Sequence, residues 1–315
     1  MAYIRPALEQ VKERSQSNNV YLDFPVSRTE INPYYGNNAN ELRKIESIIR
    51  EIQGDQNVKV SGVMITGFAS PEGRIDFNNQ LSQGRAEALR GYLAMRVGIP
   101  PQLYRVGYGG EDWNGLARVV QDSHIQPAGT ILSIIRNNTP ERRKMLLKEL
   151  NGGQIYRFLL DNIYPRLRRV VARIDYSVKN FNLEEAKQVI KTHPEQLSLN
   201  EMFMVANSYP EGSKEYIDVF MQALRAYPND PVANLNAAAA ALLENDQTQA
   251  EHYLRKAPHD RPEYYNDLGL LYMMKGNNER AKSLFRQAAD GNLQVALKNL
   301  DELKKKEEAE LRMKN

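Results

Sequence analysis

The second half of the chain repeats at an interval close to 34 residues. One large and one small position recur together, as Phe220, Leu254 and Phe285 and as Ala223, Ala257 and Ala288. A repeat of this length is typical of a pair of helices that cannot bury its apolar side alone, so successive pairs must stack. No strand pattern follows about Asn180. We therefore predict an all-α domain over residues 180–315.

The clearest copy of the repeat has seven spaced positions: Tyr265, Leu268, Gly269, Tyr272, Ala281, Phe285 and Ala288. This spacing resembles the tetratricopeptide repeat, with tyrosine in place of the usual tryptophan. The resemblance implies a solenoid of helix pairs whose groove binds a protein partner. We expect a closing helix with Leu297, Leu300 and Leu303 on its buried face.

The first half alternates strand-like and helix-like patterns, which indicates an α/β sandwich. The predicted strands cover residues 20–24, 58–67, 104–108 and 170–178. Apolar spacing of three and four predicts one helix capped by Asn38 or Asn40, and a second over residues 78–97 that stops at Gly98. Gly109 and Gly110 are expected to end the third strand. We place this domain at residues 1–179, with a helical insertion at about 113–168.

Arg85 is the residue in this half that most needs a partner. At 100° per residue, Asn78, Ser82 and Arg85 share one stripe of the predicted helix, and that stripe faces the core. A buried guanidinium without an acceptor is costly, so one must be supplied. A bound carboxylate would suit the planar guanidinium fork. The alternative is an internal ion pair with Glu72, Asp76 or Asp23.

The stretch that leads into this helix reads Gly67-Phe68-Ala69-Ser70, then Gly73, then Asn78-x-x-Leu81-Ser82-x-x-Arg85-Ala86. It resembles the OmpA-like domain, the peptidoglycan-associating module of outer-membrane proteins, peptidoglycan-associated lipoproteins and flagellar stator proteins. The family pattern is Gly-His-Thr-Asp, a glycine, and Asn-x-x-Leu-Ser-x-x-Arg-Ala. The resemblance covers about residues 18–179, implies a βαβαβ sandwich, and is nearest to envelope proteins of the Bacteroides group.

In that family an aspartate and an arginine grip the zwitterionic end of diaminopimelate in the peptidoglycan stem. The family arginine falls on Arg85. The family aspartate falls on Ser70, which cannot pair with an ammonium group. Glu72, two residues on, is the candidate replacement. The resemblance thus implies a peptidoglycan site made of Arg85, Ser70, Glu72, Asn78 and Ser82.

The insertion is locally basic, with Arg142, Arg143, Arg166, Arg168 and Arg169. Two interpretations are open for these arginines. They form either a solvated face or a surface that contacts an anionic envelope polymer.

Composition and motifs favour neither catalysis nor nucleic-acid binding. The chain has no cysteine, which excludes thiolate nucleophiles and cysteine-bound metals. Its four histidines show no metal-binding spacing, and no nucleophile-elbow or phosphate-loop pattern is present. A net charge of +3 is too balanced for a nucleic-acid reader. We predict a protein that is not an enzyme and that uses no cofactor, metal or nucleic acid.

The beginning of the chain is polar and carries no apolar signal core. The longest apolar run, Ala237 to Leu243, is far shorter than the roughly 20 residues that cross a bilayer. Given the resemblance, we expect a periplasmic or outer-membrane-associated protein whose sequence here is an internal fragment. Two functions follow. The chain either associates with peptidoglycan and recruits a protein through its repeats, or is a pure protein-interaction scaffold that has lost peptidoglycan binding.

Overall fold

A computed structural model describes residues 1–25, 28–123 and 125–314. The chain divides into two compact units. One unit is Glu13–Lys179, and the other combines Met1–Lys12 with Asn180–Asn315. The predicted first domain, residues 1–179, therefore differs from the first unit by its first twelve residues. These residues have their hydrogen-bond partners among the helices of the second unit.

Four strands form one mixed sheet in the described part of residues 12–179. They are β1 (Lys12–Val20), β2 (Val58–Ala69), β3 (Tyr104–Glu111) and β4 (Val170–Val178), in the order β1-β4-β2-β3. β2 is parallel to β3 and antiparallel to β4. Two helices, α1 (Asn38–Gly54) and α2 (Ile75–Arg96), share one apolar core with this sheet. The coarse prediction of a mixed α/β unit is confirmed.

The first predicted strand was misplaced. β1 ends at Val20, whereas residues 20–24 were predicted as the strand. Val20, Leu22 and Phe24 are buried in the core as their alternation suggested, but the backbone after Val20 is irregular. β1 itself lies at the sheet edge and is mostly polar, so its sequence gives no alternating signal.

The glycines of β3 do not end it. The strand continues through Gly109 and Gly110 to Glu111, and the register with β2 shifts between Gly67 and Ala69. Gly110 has φ +62°, a conformation that glycine adopts without strain. A Cβ on Gly109 would overlap the ring of Phe68. The pair therefore forms a bulge, a common role for glycine within a strand.

The two long helices begin differently from the predictions. Asn38 lies inside α1, and its side chain binds the preceding loop by accepting from Asp23 N at 2.6 Å and donating to Asn32 O at 2.9 Å. Asn37 is the residue before the helix and makes no side-chain cap bond, so neither Asn38 nor Asn40 is a cap. α2 starts three residues before the predicted Asn78 and ends at Arg96, close to Gly98 with φ +65°.

The stretch between β3 and β4 is helical, as predicted, and it has a core of its own. Its helices are α3 (Trp113–Asp122), α4 (Ala128–Asn137), α5 (Pro140–Glu149), α6 (Gln154–Phe158) and α7 (Tyr164–Leu167). A 3-10 turn at Leu150–Gly153 and a π-helical turn at Leu159–Ile163 connect the last three. Leu116, Ile131, Leu147 and Tyr164 are fully buried in this second core.

From Leu183 onward the second unit consists of helices joined by short connections in its described residues. Its helices are α8 (Leu183–Thr192), α9 (Leu199–Ala206), α10 (Lys214–Ala226), α11 (Pro231–Leu243), α12 (Gln247–Leu254), α13 (Pro262–Met274), α14 (Asn278–Asp290) and α15 (Gln294–Lys314). The helices α13 and α14 pack closely against each other, since a Cβ on Gly269 would lie 2.7 Å from the Phe285 ring. The small residue of the repeat is therefore needed for close helix packing.

The buried face of α15 was predicted in part incorrectly. Leu303 is fully buried and Leu300 packs on the core, but Leu297 is 49% exposed. Ala296, for which no buried position was predicted, is fully buried instead. Positions 296, 300 and 303 follow the four-and-three spacing of a helical face, whereas 297 lies beside that face.

Candidate ligand-binding site

The stripe predicted on α2 does face inward. Asn78, Ser82 and Arg85 are all buried, and Leu89 continues the stripe into the core. Only 3% of Arg85 is exposed. The predicted helix therefore delivers a guanidinium to a place where water solvates it poorly.

Arg85 is held by contacts that leave its charge unneutralised. Its Nη1 donates to the main-chain oxygen of Phe68 at 3.2 Å, and the guanidinium lies 4.9 Å from the centroid of the Phe24 ring. Its Nε is buried and has no partner among the described residues. Nor does any carboxylate of residues 1–25, 28–123 or 125–309 form an ion pair with it.

The three carboxylates proposed as internal partners are engaged elsewhere. Asp76 pairs with exposed Arg74 at 2.7 Å. Asp23 accepts from the main-chain N–H of Asn37 at 2.9 Å. Glu72 pairs with Arg168 at 2.9 Å. The internal ion pair considered for Arg85 is therefore not what the described residues form.

The electrostatic setting of Arg85 favours an added anion. Burial lowers the pKa of its guanidinium to about 10, and the nearby positive charge of Arg168 lowers that pKa as well, while Glu72 opposes the shift. The group remains a cation at neutral pH. Because burial and Arg168 both disfavour the cation, a ligand anion at this position would relieve an existing electrostatic cost.

Glu72 and Ser70 form a small polar cluster with Arg168. The Ser70 hydroxyl donates to Glu72 Oε1 at 2.6 Å, and Arg168 Nη2 donates to the same oxygen at 2.9 Å. Arg168 Nε also lies 3.4 Å from Ser70 Oγ. The second carboxylate oxygen of Glu72, Oε2, has no partner in the described residues. Ser70 thus orients Glu72 in place of supplying a charge itself.

These groups open onto one cavity of about 230 Å³. Its lining includes Arg85, Arg168, Glu72, Ser70, Asn78, Phe24 and Phe77. The charged residues among them carry two positive charges and one negative charge. A cavity of this size has room for the carboxylate and ammonium ends of an amino acid, since a water molecule occupies about 30 Å³ in the liquid.

Asn78 connects the cavity to a buried polar network. Its Nδ2 donates to Glu111 Oε1 at 2.7 Å, and Glu111 also accepts from Trp113 Nε1 at 3.0 Å and pairs with Lys144 of α5. The Glu111 side chain is only 4% exposed. Asn78 therefore lines the cavity and also joins α2 to β3 and the helical insertion. Sequence reasoning did not single out Glu111 or Lys144.

Ser82 is the predicted site residue that does not line the cavity. It is fully buried, and its hydroxyl donates to Asn79 O of its own helix at 2.8 Å. Its backbone lies directly against Gly67, where any Cβ would overlap the Ser82 carbonyl. The Gly67 and Ser82 pair therefore lets α2 approach β2 closely, and that approach brings Arg85 to the end of the strand.

The sequence assigned Arg168 and Arg169 only to the basic stretch of the insertion and not to the predicted site. Arg168 lines the cavity, while Arg169 pairs with Asp112 at 2.7 Å and lies 4.6 Å from the centroid of the Phe68 ring. The main-chain bond from Phe68 N to Arg169 O, at 2.9 Å, fixes both residues beside β2. Only the pairing of β4 with β2 could have revealed this, because the two segments are about 100 residues apart.

The described residues contain no cluster of three or more carboxylate or histidine side chains that could hold a metal ion. His124, one of the four histidines considered, lies outside the described residues. Nor does any helix in the described ranges combine the length and hydropathy needed to cross a bilayer.

No protein-family model matches the chain, and a search of curated proteins finds no significant match.

Proposed function

We propose that this chain is a non-catalytic cell-envelope protein whose α/β unit binds peptidoglycan through the cavity beside Arg85. One observation carries the proposal: Arg85, a residue that is 3% exposed, lines a cavity and has no carboxylate partner in the described residues. A planar guanidinium binds a carboxylate through two parallel hydrogen bonds. The missing partner is therefore the carboxylate of a ligand.

The rest of the cavity suits the ammonium group of the same ligand. Glu72 Oε2 has no described partner, and its side chain is 30% exposed. An amino acid head group would place its carboxylate on Arg85 and its ammonium on Glu72. The zwitterionic end of diaminopimelate in a peptidoglycan stem has this chemistry, and Glu72 takes the place of the aspartate in the OmpA-like pattern.

The helical unit is proposed to be a tetratricopeptide-like array that binds a protein. The support is the fit of Gly269 against Phe285 and the burial of Ala281 and Ala288, which are the small positions of that repeat. The same proposal places the protein in the periplasm or at the outer membrane, where peptidoglycan is accessible.

Sedimentation with purified peptidoglycan tests the cavity directly. We expect the natural chain to sediment with peptidoglycan and free diaminopimelate to compete. Arg85→Lys keeps a positive charge but loses the planar fork, so it should bind several-fold less than the natural chain. Arg85→Ala and Glu72→Ala should abolish sedimentation. Arg90→Ala is the matched control, because Arg90 lies on the same helix with its side chain 41% exposed.

The outcome that contradicts the proposal is sedimentation unchanged by Arg85→Lys and Glu72→Ala in folded protein. The thermal unfolding midpoint of each variant separates loss of binding from loss of folding. Since Arg85→Ala leaves a buried cavity, the lysine variant decides the question if the alanine variant does not fold.

A second candidate function is a protein-interaction scaffold that has lost its wall ligand. The observation in its favour is the bond of Glu72 to both Ser70 and Arg168, which partly satisfies the carboxylate without a ligand. Chemical crosslinking in envelope extracts separates the two functions. Protein partners without any wall fragment support the scaffold, whereas muropeptides attached at the cavity contradict it.

A further inference from the structure

The first residues of the chain lie along α9, α11 and α13 without forming helix or strand. Ala2 N donates to Asp267 Oδ1 at 2.9 Å, and Ile4 N donates to Asn236 Oδ1 at 2.8 Å. Asn236 Nδ2 in turn donates to Ile4 O at 2.9 Å. Asn236 thus satisfies both main-chain polar groups of one residue, as a neighbouring strand would.

The side chains that hold this segment come from equivalent helices. Asn200, Asn236 and Asp267 lie on α9, α11 and α13, and are 36 and 31 residues apart. All three are buried, with exposures of 4%, 3% and 0%. Asn200 Oδ1 accepts from Arg5 Nε at 3.4 Å. Successive helix pairs therefore present one polar group each to a chain that runs across them.

Main-chain bonds of this kind form with any side chain on the bound segment. The surfaces around the segment, however, favour particular side chains at each position. Tyr3 stacks on Phe220 with ring centroids 4.8 Å apart and meets the edge of Tyr216 at 5.5 Å. Ala2 and Ile4 are 5% and 8% exposed. The site therefore accepts a small residue, an aromatic residue and a branched aliphatic residue in succession.

The other end of the segment is fastened by Lys12. Its ammonium contacts both carboxylate oxygens of Glu201, at 2.9 and 3.0 Å, and Gln196 O at 3.1 Å. It also lies 4.2 Å from the centroid of the Phe181 ring, and the residue is fully buried. Lys12 thus ties residues 2–5 to the helical unit, which gives them a high effective concentration at α11 and α13.

We propose that α9, α11 and α13 form a binding site for an extended peptide of small–aromatic–aliphatic pattern, which residues 2–4 of the same chain fill as an intramolecular occupant that a partner segment must displace. The proposal rests on the protein-binding role proposed for the helical unit and names the chemistry of the partner. It is independent of the Arg85 cavity.

The test uses the full chain and an N-acetylated fluorescent peptide with the sequence Ala-Tyr-Ile-Arg-Pro. Ile4→Asp places a charge where the natural residue is 8% exposed and should release the intramolecular segment. We expect the Ile4→Asp chain to bind the peptide roughly tenfold more tightly than the natural chain, since it has lost the tethered competitor. Adding Asn236→Leu to Ile4→Asp should abolish peptide binding.

A peptide with an N-methyl group on isoleucine is the matched control, because it keeps every side chain but cannot donate to Asn236. It should not bind. Failure of folded Ile4→Asp protein to bind the unmodified peptide overturns the proposal, as does equal binding of the N-methyl peptide. Hydrogen exchange gives a second measurement in the otherwise natural chain, where Asn236→Leu should speed exchange of the Ile4 amide.

Peptidoglycan sedimentation of Ile4→Asp separates this proposal from the cavity proposal. Retained sedimentation together with absent peptide binding refutes the peptide site alone. Retained peptide binding without sedimentation by the natural chain refutes only the wall-binding function.

Discussion

Arg168, two residues before β4, donates to Glu72, in the turn after β2, at 2.9 Å. This bond closes one side of the cavity that Arg85 faces, and it uses only one of the two carboxylate oxygens of Glu72. The arrangement keeps an acidic group close to two guanidinium groups. The cavity therefore presents both signs of charge although Ser70 itself carries none.

On the proposed wall-binding function, Arg168→Ala should weaken peptidoglycan binding while leaving the proposed contact to Arg85 in place. The substitution takes one positive charge from the cavity and frees Glu72 to turn away. Peptidoglycan affinity is expected to fall about 3- to 10-fold, which corresponds to roughly 0.6–1.4 kcal/mol. The measurement is sedimentation at several peptidoglycan concentrations. Arg166→Ala, at an exposed position of the same segment, should leave affinity unchanged, and an equal loss in both variants would contradict a specific role for Arg168.

Glu111→Gln should destabilise the α/β unit because it leaves the Lys144 ammonium, 12% exposed, without its carboxylate. Removing one member of a buried ion pair typically costs about 3–5 kcal/mol. Urea unfolding followed through Trp113 fluorescence measures the change, since this is the single tryptophan and its indole N–H donates to Glu111. Glu141→Gln, at an exposed site on α5, is the control. A change below about 1 kcal/mol would show that the network adds little stability.

Gly269→Ala should destabilise the helical unit by about 1–3 kcal/mol, because its Cβ would lie 2.7 Å from the Phe285 ring. Phe285→Leu in the same chain removes the aromatic edge and should recover part of that loss. Hydrogen exchange of α13 amides in increasing urea measures each variant. Additive costs in the double variant would mean that the two residues do not compete for the same space.

Asp267 should make the stability of the helical unit depend on pH. Burial raises the pKa of its carboxyl from 3.8 to about 7, against the opposing bonds from Ala2 N and Asn266. Between pH 4 and 7 the folded chain therefore holds a proton that the unfolded chain has released. The free energy of unfolding should fall as pH rises through this window, by up to about 4 kcal/mol for a three-unit difference in pKa.

Asp267→Asn removes this titration while keeping an oxygen that can accept from Ala2 N. The variant should lose most of the fall in stability between pH 4 and pH 7, measured by hydrogen exchange of α13 amides at each pH. Asp260→Asn, at an exposed position, should retain the pH dependence of the natural chain. An identical pH profile for Asp267→Asn and the natural chain would contradict the raised pKa.

Patterns with a strong period were predicted closely. β4 occupies the predicted residues 170–178, and the stripe of Asn78, Ser82 and Arg85 faces inward as the helical period requires. The position of β1 was predicted wrongly because an edge strand of polar residues shows no alternation of apolar and polar side chains. Gly109 and Gly110 were predicted to end β3 because glycine is common both in bulges within a strand and in turns that end one.

The cavity likewise combines residues that a local motif predicts with a residue that only the packing of distant segments brings there. Arg85, Ser70, Glu72 and Asn78 lie within 16 positions of one another, so a local motif could bring them together. Arg168 lines the cavity although it was not predicted to, and Ser82 does not line it although it was predicted to. Both outcomes depend on how β2, β4 and α2 pack. Nothing in the local sequence of Arg168 distinguishes it from its exposed neighbour Arg166.

The sequence by itself determined the two classes of architecture, the helical stretch between β3 and β4, and the need of Arg85 for an acceptor, because these follow from periodicity and from the cost of burying a charge. The tertiary structure alone decided which carboxylates Arg85 does not meet and which helices hold residues 1–12. Those outcomes depend on contacts between segments as distant as Ile4 and Asn236. Local propensity contains no information about such contacts, since hydrogen bonding and packing select them only when the whole chain has folded.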